Sequence, residues 1–250
     1  MKFIYENIMI DRDDRLRAVE IFNEIKALLS EDKISFDKGN ILFKLPLKNI
    51  DSSLDNLNFF LCKRIPKSNK TAGGGITVTL TPPYIYTLYL SVGEVKNFNE
   101  LINKMNQLDV QGSFVHEFTH YLDFSRSGDD FLDKMNRIDE ITKLKPKRKD
   151  FPNELSFQVK LEEWFEDYFN IPSEIEAYLQ QAFFYFDETF FKLDDDKKAK
   201  LLSDVSVFSK FMVKFLNKTA MKPAFLLDKN REVVKQSIFL YYNQLNSEFK

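Results

Sequence analysis

With 250 residues, 44% of them hydrophobic, the chain is long enough to bury one large core or two modest ones. Its 36 basic and 38 acidic residues leave a net charge of -2, which excludes the basic field of a nucleic-acid binder. A single cysteine, Cys62, excludes an intrachain disulfide, and no run nears the roughly 18 apolar residues of a membrane span. The 26 phenylalanines are spread along the chain and read as core filling.

The first stretch, MKFIYENIMIDRDDR, meets acidic residues too soon for a signal peptide. The expected location is therefore the cytoplasm, or outside the cell after release without a signal peptide. Residues 11–30 read as an amphipathic helix, with Leu16, Val19, Phe22, Ile25 and Leu29 at helical spacing. Residues 34–62 change period, and ISFDKGNILFKLPL and NLNFFLCKRI suggest short strands. Cys62 lies in the second, an apolar setting that predicts a buried, inert thiol. Lys67 to Ile76, KSNKTAGGGI, reads as a flexible loop. The β-branched and aromatic run Ile76–Tyr89 follows. Pro82 and Pro83 within it imply an edge strand or two strands with a break.

From about Asn97 the chain looks helical. Asn97–Glu100 has capping-box form, and a helix is expected from there to Leu108. A second helix is expected over Val110–Phe124, with Gly128 just beyond it. Lys143–Asp150, KLKPKRKD, reads as a solvated basic loop. Further helices are expected over 154–169, 173–191, 195–217 and 229–248. This order gives an α+β class in one domain, with an α/β part over 1–96 and a helical part over 97–250.

The only two histidines, His116 and His120, stand four apart in HEFTH with Glu117 after the first. On a helix, positions four apart share one face, so both imidazoles can reach one Zn²⁺. Glu117 then flanks the ion as a general base. At about 100° per residue from His116, His120 falls at about 40°, Asp123 at about -20° and Glu117 at about 100°. Phe114, Val115, Phe118, Tyr121 and Leu122 fall mostly on the opposite side. The helix can therefore pack on a core and keep its ligand face toward a cleft.

A catalytic zinc needs a third protein ligand and an open position. There is no third histidine, and Cys62 sits in an apolar strand, so the ligand is expected to be a carboxylate on a neighbouring helix. Pro172 and Ser173 mark a helix start, with Glu174 and Glu176 next. Ser173-Glu174-Ile175-Glu176 has capping-box form, which would tie Glu176 to the Ser173 N–H and leave Glu174 for the metal. Glu176 is the first alternative, followed by Glu154, Glu162, Glu163 and Glu166. Asp123, on the ligand face, is placed to hold an imidazole N–H from behind or to cap a neighbouring helix.

The histidine pair followed by a glutamate on a second helix resembles the gluzincin metallopeptidases. HEFTHYLD resembles the stretch H-E-F-x-H-x-x-D of anthrax-lethal-factor-like zincins. With YFNIPSEIEAYLQ, it is similar to small uncharacterised phage and bacterial metallopeptidases. The resemblance covers about residues 112–183. It implies a zincin-like fold, one zinc ion and a peptide or protein substrate; composition and hydropathy, separately, lead to no expectation of a nucleic-acid or membrane partner. It also implies that the ligand glutamate opens an E-x-x-A pattern, which Glu174–Ala177 matches. A tyrosine near that ligand would stabilise the oxyanion, Tyr168 first and Tyr178 second. An edge strand before the zinc helix would pair with extended substrate, and the glycines at 73–75 would let that edge move or serve as a plain loop. The rival expectations are a silent zincin-fold interaction protein and a zinc hydrolase of a non-peptide amide such as a cell-wall bond.

Overall fold

The structure, a computed structural model, describes residues 12–36, 39–65, 73–79 and 81–249. The N-terminal stretch read for a signal peptide (1–11) and positions 67–72 of the expected loop lie outside the described residues. The class is α+β: among the described residues, nine α-helices and a four-stranded mixed sheet, with the strands in the N-terminal part. The chain divides into two compact units. One ends at Leu122 and the other begins at Asp123.

In the first unit, α1 (Arg12–Leu28) buries Ala18, Ile21, Phe22 and Ile25, the i, i+3, i+4, i+7 stripe of a helix with one apolar face. The strands are β1 (Ile41–Pro46), β2 (Leu57–Cys62), β3 (Gly73–Val78) and β4 (Tyr86–Ser91), in the order β1-β2-β4-β3. The central pair, β2 and β4, is parallel, and both outer strands run antiparallel to their neighbours. Alternation fixes which face is inside: Leu57, Phe59 and Leu61 on β2 and Tyr86, Leu88 and Leu90 on β4 are buried, and at the strand ends Cys62 and Ser91 on the other face are buried as well. The run Ile76–Tyr89 is thus two strands with a break, and β3 is an edge. The glycines assigned to a loop are the first half of β3, because β4 offers them a continuous ladder from Ser91 to Tyr86.

Helix α2 (Phe98–Met105) is capped by Asn97, whose side chain accepts from the Glu100 N–H at 2.9 Å. The return bond differs from a capping box: Glu100 accepts from the Lys96 N–H at 3.0 Å. Helix α3 (Leu108–Arg126) carries the histidines and stops before Gly128, whose φ of 57° is one that glycine adopts freely. Its apolar face packs as the wheel predicts. Phe114 meets Phe22 and Phe59 with ring centroids at 5.2 and 5.9 Å, and Tyr121 meets Tyr86 at 5.3 Å. The Tyr121 hydroxyl donates to Asn56 at 2.9 Å.

Cys62 is fully buried, with its thiol directed to the Leu90 carbonyl, and burial pushes its pKa up to about 11. At pH 8 only about one thousandth of it is thiolate, the reactive form. Titration with a thiol reagent should find no reactive group in the native protein at pH 8 and one in denaturant, with the native rate climbing as pH approaches 11.

The second unit is helical: α4 (Phe131–Lys143), α5 (Glu154–Phe169), α6 (Pro172–Phe190), α7 (Asp195–Leu202), α8 (Val205–Leu216) and α9 (Asp228–Glu248). The single helix expected over 195–217 is two. Asp204 leaves helical geometry and caps α8 by accepting from the Ser206 N–H at 2.7 Å, a local bond that competes with helix continuation. The basic loop is exposed as expected, with Lys145 over the Trp164 ring and Arg148 paired to Glu154 at 2.7 Å.

Helix α6 is buried nearly all round, and Phe186 is its aromatic hub, touching Phe190, Phe208, Phe211, Phe215 and Tyr241. Phe186→Ala should cost about 3–5 kcal/mol, read as a lower urea midpoint, because rings on several helices lose one common neighbour. The corner between α5 and α6 is held by Asn170. Its amide donates to the Glu166 and Phe225 carbonyls, at 2.5 and 2.8 Å. Its oxygen accepts from the Leu227 N–H and the Asn230 amide, at 2.9 and 2.6 Å. Among the described residues, no helix is long and apolar enough to cross a membrane.

Candidate metal centre

The helical repeat of α3 stacks His116 and His120 one turn apart. Their rings stand edge to face with centroids at 4.8 Å, and the two Nε2 atoms are 3.2 Å from each other. Two nitrogens each about 2.0–2.1 Å from a tetrahedral ion are separated by about 3.3 Å, so the pair has the spacing of two ligands on one zinc. Both rings are buried, as are Glu117 and Glu174. His116, His120 and Glu174 each offer one ligand atom, and these atoms lie within 4.8 Å of one another. Two imidazoles and a carboxylate are three nitrogen and oxygen donors of the kinds that divalent transition metals take. The donor set therefore fits a divalent metal ion.

Glu174 stands 2% exposed, whereas Glu176 is half-buried and Glu154, Glu162, Glu163 and Glu166 are exposed. The capping box used to choose between Glu174 and Glu176 does not form. Proline at the first helical position starts α6 one residue early, with Ile171 as N-cap and no side-chain cap bond. Ser173 is therefore already inside the helix, and Glu174 lies in its first turn, where the N–H groups and helix dipole favour a negative charge.

Asp123 does not reach either imidazole. Its carboxylate takes Lys134 at 2.6 Å, and Lys134 also donates to the Ser127 hydroxyl at 2.6 Å. A cation one loop away competes better for this half-buried carboxylate than a neutral ring N–H would. Tyr168 is half-buried and stacks on Trp164 at 5.0 Å, with its edge to Phe169. Tyr178 is also half-buried and meets the same Phe169 at 5.5 Å.

One neighbour of the catalytic candidate escaped the sequence reading. Glu117 lies against the backbone of Gly74 in β3. A β-carbon built on Gly74 would stand 2.2 Å from Glu117 Cγ, 2.8 Å from Oε1 and 2.9 Å from Cδ. The signal available was the run of three glycines opening a strand-like segment, since glycine inside a strand marks a close backbone approach. Compared with protein-family models, curated proteins and solved structures, the chain matches none of them.

Proposed function

We propose that the chain is a zinc-dependent metallopeptidase of gluzincin type with a zincin-like fold. The observation that carries this reading is the buried group of His116, His120 and Glu174, with the two Nε2 atoms 3.2 Å apart. His116, His120 and Glu174 would hold one Zn²⁺. Bound zinc supplies Lewis acidity that brings the pKa of a water near 7 and polarises a carbonyl. Glu117 accepts the proton of the attacking water at a carboxylate oxygen and passes it to the leaving amide nitrogen. Tyr168 is the proposed donor to the oxyanion and Tyr178 the alternative. The substrate is a peptide or protein, and the resemblance favours a phage or bacterial setting, in the cytoplasm or after release without a signal peptide.

The test is cleavage of a peptide library by the wild type and by Glu117→Gln. Cleavage that disappears in the variant supports the reading. Zinc binding with no Glu117-dependent cleavage of any peptide would instead favour a silent scaffold. Release from cell-wall amides but not from peptides would favour the non-peptide hydrolase.

A further inference from the structure

We propose that Gly74 is a positioning residue: its lack of a side chain forms the seat of the Glu117 side chain. This rests on the metallopeptidase reading for its catalytic meaning and on geometry alone for the contact. The atom that would be struck first by a β-carbon at position 74 is Glu117 Cγ, at 2.2 Å, well inside any real carbon–carbon contact. Cγ is one bond beyond the β-carbon, so turning the outer torsions of Glu117 cannot relieve the clash. Only a change of χ1 can, and that carries the whole carboxylate elsewhere.

Neither backbone is free to yield. Helix α3 is anchored through Phe114, Phe118 and Tyr121, all buried. Strand β3 is tied to β4 from Gly73 to Val78, with Gly74 opposite the fully buried Leu90. Even alanine, the smallest side chain, is too large at this position. The two flanking glycines have other reasons to be there. Gly73 has a φ of 108°, and a β-carbon on Gly75 would press on Ile65 Cγ2 at 3.3 Å. Position 74 alone answers to Glu117.

Thermal unfolding in two backgrounds tests the contact without any substrate. Gly74→Ala should lower Tm by about 4 °C or more in the otherwise wild-type chain. In a Glu117→Ala background, where the side chain ends at the β-carbon, the same change should cost little. Gly73→Ala, strained by its backbone angle, should cost the same in both. Equal cost of Gly74→Ala in the two backgrounds, or no cost in either, would overturn the proposal.

The kinetic arm uses the zinc-loaded enzyme. Gly74→Ala should keep its zinc and its KM and lose about 100-fold in kcat, the scale of an ångström-sized misplacement of a catalytic group. In a Glu117→Gln background it should lose nothing further. Full kcat in Gly74→Ala would overturn the positioning role. A wild type that cleaves nothing yet shows the Tm coupling would sink the metallopeptidase reading and leave the seat standing.

Discussion

Replacing His116 and His120 together by alanine should remove the metal. Wild-type protein, purified and dialysed, should carry about one zinc per chain by elemental analysis, and the double variant none. The two imidazoles are buried, their Nε2 atoms lie 3.2 Å apart, and they are the only histidines in the chain. Glu174→Ala should weaken zinc binding in chelator competition while leaving two ligands in place, and Glu176→Ala should leave it unchanged. Two residues apart on a helix means about 200° of rotation, so the two carboxylates do not substitute for one another. A double variant that folds and retains full zinc would place the metal elsewhere.

Glu117→Gln should leave zinc content and Tm near wild type and reduce peptide hydrolysis by about 10²–10⁴-fold, the usual weight of a general base. The amide has the shape of the carboxylate, so it keeps the contact with Gly74 and loses only the proton acceptor. The loss should fall in kcat more than in KM, because the base acts in the chemical step. Undiminished turnover in this variant would remove Glu117 from the mechanism while leaving the metal group intact.

What could be read from the chain was local. The helix over Val110–Phe124 extends only two residues further at each end, because the pattern of Phe114, Phe118 and Tyr121 repeats within single turns. The histidine spacing belongs to the same class of signal. The capping box that favours Glu174 in the sequence is prevented by Pro172, and the residue still joins the histidines. The companion pattern, E-x-x-A, depended on no such local geometry. The wheel shows that Asp123 shares the histidines' face, and it does not show that Lys134 comes to meet the carboxylate. Gly74 reads as loop in the sequence for a related reason. A residue without a side chain carries no hydropathic period, and its partner Glu117 lies far along the sequence. The break at Asp204 is hidden in the sequence because the apolar pattern continues through it, while α7 ends at Leu202 and a single cap bond starts α8.

The last sixty or so residues carry no motif, yet Asn170 ties them to the corner from which α6 starts. This one amide meets two donors and two acceptors, three of the four on or just ahead of α9, at the corner from which α6 sets out toward Glu174. An aspartate there could accept but not donate and would drop both carbonyls. The tail thus acts as a buttress: it braces the corner at which α5 ends and α6 begins. Trimming the chain to residues 112–183 would keep His116, His120 and Glu174 and lose three of the four bonds that hold the corner from which α6 starts.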